Sequence, residues 1–226
     1  MDADVEFFWD PVCPFAWLTS RWLAQVAETR DLTVDWRFIC LRILNEQRDY
    51  DAEFPPGYIG FHTSGLHLLR AAAAARAAEG PDAMGPLYTA MGSAIWERES
   101  IEGGMEGAMG AVGREEFAAD ALEGAGLDRS FARAVHDASH DAILRHETAE
   151  ALSRTGDDVG TPIITLDPPS GPSFFGPVIS RLPASLEESL RLWDAITTLA
   201  RFGPFSELKR SLRELPDLPL VRAVSG

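Results

Sequence analysis

The sequence predicts an α/β chain whose sheet is interrupted by an all-helical insertion. Three observations predict it. A β-rich run, Val5 to Trp9, breaks into a proline-flanked cysteine and then a helical stripe. A second β-rich run, Thr33 to Cys40, follows at the spacing of a parallel βαβ crossover. No convincing strand then occurs from Phe54 to Asp158, before sheet structure resumes at Thr161.

Val5-Glu6-Phe7-Phe8-Trp9 reads as a short buried strand, and Pro11 and Pro14 end it. From Phe15 the apolar positions Phe15, Leu18, Trp22 and Val26 form a helical stripe, with Pro14 suited to its first turn. Cys13 therefore stands at a helix N-terminus, where the dipole favours an anion and is expected to lower the thiol pKa. One turn later, where a C-x-x-C motif carries its second cysteine, this chain has Ala16. Asp31 opens a turn into the second strand. Both strands end at one sheet edge, the edge at which open α/β sheets bind ligands.

Within the insertion, helices are predicted over Gly65–Glu79, Pro86–Glu99, Glu115–Glu123, Leu127–Ala138 and Asp141–Arg154, with Gly124 and Gly156 placed as helix ends. The glycine-rich, acidic stretch Ile101–Gly110 reads as a surface loop; a lid with Met105 and Met109 as soft contacts is the alternative. Thr161–Asp167, a Pro168–Pro172 turn cluster and Ser173–Gly176 form a hairpin. Ser185 to Glu188 is a capping box opening an amphipathic helix closed by Gly203-Pro204, and a short helix over Ser206–Arg213 follows. The predicted domains are residues 1–53 with 158–226, carrying the sheet, and a helical insertion, 54–157.

The 226 residues, 46% of them hydrophobic, suffice for one large domain or a domain with an insertion. A net charge of −15, from 20 Lys plus Arg against 35 Asp plus Glu, argues against nucleic acid or an anionic membrane as partner. No charged start followed by an apolar stretch and a cleavage site is seen, nor a run of 18 apolar residues, so neither export nor a membrane span is expected, and two cysteines make no disulfide framework. A cytoplasmic protein acting on a small molecule is the expectation. His136 and His140 have zinc-ligand spacing on one predicted helix, but no third ligand is compelling, so a solvated face and no metal are expected. No glycine cluster sits between a strand and a helix, so no bound nicotinamide or flavin is expected.

The ordered set Phe8-Trp9-Asp10-Pro11-Val12-Cys13-Pro14-Phe15, Trp17 to Trp22, Ile43 to Glu46, Pro86 to Gly92, Val159 to Pro162 and Phe174 to Val178 spans most of the chain. It resembles the DsbA-like thioredoxin superfamily, a thioredoxin-like fold with an inserted all-helical domain. Within that superfamily it is similar to the actinobacterial mycothiol-dependent reductases, or nitroreductases. More distantly it is similar to kappa-class glutathione transferases and chromene-carboxylate isomerases. The resemblance implies Cys13 as nucleophile and Pro162 as a cis-proline facing it. It makes Asp10, Pro14, Phe15, Trp17, Thr161 and Pro162 the substrate- and thiol-binding candidates. It implies mycothiol or a similar thiol as co-substrate with no bound cofactor, and by analogy a homodimer.

Most relatives of this kind carry a second cysteine where Ala16 stands. Resolution of a mixed disulfide then falls to an external thiol, making Cys13 a monothiol centre, or to Cys40 as a second thiol. The alternative for Cys40 is a buried small hydrophobe. A lone thiolate also permits a different chemistry, E/Z isomerisation of a conjugated substrate by reversible thiol addition. A non-catalytic binding module would instead carry an unreactive Cys13 with a normal or raised pKa.

Overall fold

The computed structural model describes residues 3–98, 110–210 and 214–225. Four strands form one mixed sheet in the order β2-β1-β3-β4: β1 Val5–Trp9, β2 Val34–Phe38, β3 Ile163–Leu166 and β4 Ser173–Phe175. β1 and β2 are parallel, with Trp9 opposite Phe38, so both C-terminal ends meet at one edge as the crossover required. β3 runs antiparallel to β1 and pairs with β4 as a hairpin. The long helices are α1 Pro14–Arg30, α4 Tyr58–Glu79, α5 Met84–Trp96, α6 Glu115–Gly124, α7 Asp141–Thr155 and α8 Leu186–Ala200. Two one-turn helices, α2 Leu41–Leu44 and α3 Tyr50–Glu53, fill the segment after β2, and α9 Pro219–Ser225 follows near the C-terminus. Among the described residues no helix is long and apolar enough to cross a membrane.

The period-two alternation of β1 sends its side chains to two different environments. On one face Phe7 and Trp9 meet Trp36, Phe38 and Tyr88 of α5, with Trp9 and Tyr88 stacked at 4.3 Å. On the other face Glu6 and Phe8 lie under α7. There Arg37 pairs with Glu6 and Glu147 at 3.0 Å and with Glu150 at 2.7 Å, while Arg154 pairs with Glu6 and Glu150. Burying charge is costly unless it is fully paired, which this network achieves. The aromatic face belongs to a single apolar cluster joining α1, α4, α5 and α6 to the sheet.

Several sequence expectations are corrected. α4 begins at Tyr58, seven residues before the predicted start, because burial of His62 and Ser64 outweighs the poor helix propensity of Gly60 and Thr63. The predicted helix Leu127–Ala138 is a 3-10 helix over Arg129–His136, whose buried Ala132 and Val135 recur at its three-residue period. Residues 206–210 carry no helix. The loop with Met105 and Met109 lies outside the described residues. The capping box forms, Ser185 Oγ accepting from Glu188 N at 3.2 Å, and Gly156 caps α7 at φ 100°.

Candidate active site

The turn from β1 into α1 is held by three independent clamps. The Asp10 carboxylate accepts the Val12 amide at 3.0 Å through one oxygen and the Leu41 amide at 2.8 Å through the other. Trp96 of α5 donates its indole N–H to the Pro11 carbonyl at 2.9 Å. Gly65 of α4 lies so close that a Cβ there would meet Asp10 Oδ1 and the Val12 side chain at 2.7 Å. These contacts fix Cys13 as the N-cap of α1, its Sγ accepting from the Ala16 amide at 3.4 Å.

Facing it, the Thr161–Pro162 bond is cis. The Thr161 carbonyl lies 3.5 Å from Cys13 Sγ, which donates to it, and Thr161 Oγ1 donates to the Phe8 carbonyl at 3.3 Å. Pro162 is tied to the hairpin by Gly176 N at 2.9 Å, and Thr19 of α1 donates to the Pro177 carbonyl at 2.7 Å. Helix, proline loop and hairpin therefore converge on one sulfur.

The electrostatics differ from the sequence expectation of a low thiol pKa. Burial pushes the Cys13 thiol up to about 12; the Ala16 N–H works against this and the Asp10 charge adds to it. A helix N-terminus stabilises a thiolate, but with Cys13 only 7% exposed, lost hydration outweighs two backbone donors. Asp10 itself is fully buried, and that burial pushes its carboxyl up to about 7 against the Leu41 and Val12 amides. The resting site holds a protonated thiol above a carboxyl poised near neutrality.

The structure brings Cys13, Pro14, Phe15, Thr161 and Pro162 together, with Pro14 and Phe15 half-buried beside the sulfur. Asp10 lies beneath the turn rather than at its mouth. Trp17 is 1% exposed, packed against Tyr88 and under the Arg21 guanidinium, 4.2 Å from its ring. Gly92 passes so close that a Cβ there would meet that ring at 2.1 Å. Trp17 is thus core. Cys40, the N-cap of α2, is fully buried; its amide donates to Thr148 Oγ1 at 3.0 Å and burial raises its thiol pKa strongly. The two cysteines are not bonded to each other. His136 and His140 fall in separate 3-10 turns broken at the extended Asp137, so they share no helix face. No group of three metal-binding side chains forms among the described residues.

Residues 12–210 match the family model described as Rv2466c-like, mycothiol-dependent nitroreductase Rv2466c. The chain belongs to that family. It is 28% identical over 210 residues to the uncharacterized protein Rv2286c of Mycobacterium tuberculosis (strain ATCC 25618 / H37Rv), covering 91% of this chain and 81% of that one. Among solved structures it is similar to a candidate protein disulfide isomerase from Nitrosomonas europaea, with TM-score 0.56 and 13% identity over 87% of this chain and 99% of the other. It is also similar to a 2-hydroxychromene-2-carboxylate isomerase, with TM-score 0.52 and 19% identity over 88% and 97%. At such identities these structures speak for the fold alone. The fold is thioredoxin-like with inserted helices, DsbA-like in plan, and the family is one of thiol-dependent enzymes.

Proposed function

We propose that this family member is a monothiol oxidoreductase in which Cys13 exchanges with mycothiol or a similar small thiol. The observation that carries the reading is the seat of Cys13 Sγ between the Ala16 amide and the carbonyl preceding cis-Pro162. One group favours a thiolate. The other accepts the thiol proton at rest and lines the place a partner sulfur would occupy.

In the proposed cycle Cys13 gives up its proton to become the thiolate. The thiolate attacks a disulfide R–S–S–R′, forming Cys13–S–S–R and expelling R′–S⁻, which takes the proton. A second thiol, R″–SH, then attacks the mixed disulfide as its thiolate. Cys13 leaves and is reprotonated, and R–S–S–R″ is released. No electrons remain on the protein, so no internal resolving thiol is required. Ala16 offers none, and Cys40 is buried with its backbone committed to Thr148. On this reading residues 1–53 with 158–226 form the thiol-bearing unit, and 54–157 the helical unit laid against it.

The test is mycothiol-dependent turnover of 2-hydroxyethyl disulfide. Cys13→Ser is expected to fall to background and Cys40→Ala to keep wild-type turnover. Retained turnover in Cys13→Ser would refute the assignment. If turnover of a conjugated substrate proceeds without any change in redox state, the reversible-addition isomerase replaces this reading.

A further inference from the structure

Charge and exposed apolar side chains are both unevenly distributed in this molecule, and the two patterns coincide. Residues 1–180 carry 13 basic side chains against 29 acidic ones, whereas residues 181–226 carry seven against six. The net charge of −15 therefore comes entirely from the first part of the chain. Among the described residues nine large hydrophobic side chains are exposed, and six of them fall in the second part: Leu182, Leu186, Phe202, Phe205, Leu208 and Leu215. A single exposed apolar side chain needs no explanation, but a concentration of them marks an interaction surface.

These six are gathered by α8 and the segment that follows it. α8 has 15 residues and so is about 22 Å long. Leu182 and Leu186 stand at its start, and Phe202 and Phe205 just past its end. From there the chain returns to the start of α8. Ser180 Oγ donates to the Glu214 carbonyl at 3.0 Å, Arg181 pairs with Glu214 at 2.7 Å, and the Asp217 amide donates to the Ser180 carbonyl at 2.7 Å. The returning segment is a strap spanning the length of α8 and tied at both ends. Arg201 pairs with Asp167 at one end, at 3.0 Å, and Leu218, Leu220 and Val221 are buried beyond the other. Between the ties, residues 201–210 are all exposed, Phe202 at 63% and Leu208 at 83%. The opposite side of α8 is committed to α1, where the Trp22 indole N–H donates to the Ser189 carbonyl at 3.1 Å.

The strap also fails to form the helix predicted over Ser206–Arg213, since residues 206–210 carry none. A two-turn helix is unstable in water unless packing covers an apolar face, and Leu208 finds no such cover within the chain. Charge selects what covers it. Two copies brought together through residues 1–180 present like charge to each other and repel. The face built from residues 181–226 carries both signs in near balance, so across a two-fold axis each sign can meet its opposite. A nucleic acid or an anionic membrane would instead face the full −15.

We infer that α8 and the strap after it form the contact face between two copies of this chain, an isologous dimer that buries the six exposed apolar side chains. The contact is independent of the thiol chemistry proposed for Cys13.

The test is sedimentation equilibrium of the full chain from nanomolar to submillimolar concentration. A species of twice 24.7 kDa is expected, and added salt should tighten it by screening the repulsion between the acidic bodies. Phe202→Glu and Leu208→Glu should each weaken the dimer about tenfold or more, the scale of a buried interface anchor. Lys209→Glu with Arg210→Glu should weaken it too, by making the face acidic. Ile59→Glu, at an exposed apolar position on α4, should leave it unchanged. On the unsubstituted chain, amide hydrogen exchange at residues 201–210 should slow as protein concentration rises, which needs no variant to fold. A monomer throughout the range, a dimer that survives Phe202→Glu and Leu208→Glu, equal disruption by Ile59→Glu, dissociation by salt, or exchange at 201–210 that ignores concentration would each overturn the inference.

Discussion

Cys13 and Cys40 occupy almost the same backbone. Each follows one of two parallel strands and is the N-cap of the next helix, at φ −96°, ψ 111° and φ −97°, ψ 112° respectively. Asp10 bonds the turn of each, through Val12 on one side and Leu41 on the other, and its charge raises both thiols. Helix amides bear on both sulfurs, yet only Cys13 faces the Thr161 carbonyl and keeps some exposure. Cys40 precedes a single turn, makes no cap bond through its side chain and is sealed under Thr148. An N-cap position at the sheet edge therefore does not by itself leave a thiol reachable. A facing loop and a path to the surface set Cys13 apart.

The contrast breaks most directly by substitution. Cys13→Ser should abolish mycothiol-dependent turnover, whereas Cys40→Ala should keep it and cost about 1–2 kcal/mol of stability from lost packing, measured by urea unfolding. Comparable loss of turnover in the two variants would erase the distinction.

Next is the chemical reactivity of the unsubstituted chain. Under native conditions iodoacetamide should label Cys13 faster than Cys40 by a factor on the order of a hundred. Because burial pushes the Cys13 thiol up to about 12, its labelling rate should go on rising with pH beyond 9. A plateau near pH 7 would show that the helix terminus dominates after all.

Gly65→Ala should disturb both turns at once. Its Cβ would overlap Asp10 and Val12, with an expected cost of about 1–3 kcal/mol by thermal unfolding. A neutral result would mean that α4 does not press on the turn.

The Asp10 linkage is the most subtle test. Its carboxyl is raised from 3.8 to about 7 in the fold, so its stabilising contribution is complete below pH 3.8 and is lost as pH climbs toward 7. The stability difference between wild type and Asp10→Asn should therefore shrink by about 4 kcal/mol between pH 4 and pH 8. A difference independent of pH would contradict a buried, neutral-leaning Asp10.

Much of the fold is readable in the sequence, because each element carries its own local mark. The prolines around Cys13 mark the start of α1, the alternation of β1 divides aromatic from ionic faces, and the Ser185 box starts α8. What the sequence hides depends on depth. Trp17 flanks the cysteine in sequence but turns inward to Gly92, and helical spacing alone does not say which side of α1 is covered. The thiol pKa is hidden for the same reason: the dipole follows from the helix, whereas desolvation depends on how the chain packs over the sulfur.

On the proposed function Cys13 works without a second protein thiol. The most direct test is the intact mass and peptide map of the protein after oxidised mycothiol, and again after reduced mycothiol. One mycothiol adduct is expected, located on Cys13, present equally in Cys40→Ala and removed by the reduced thiol. A loss of two hydrogens without an adduct, disappearing in Cys40→Ala, would show a Cys13–Cys40 disulfide and contradict it.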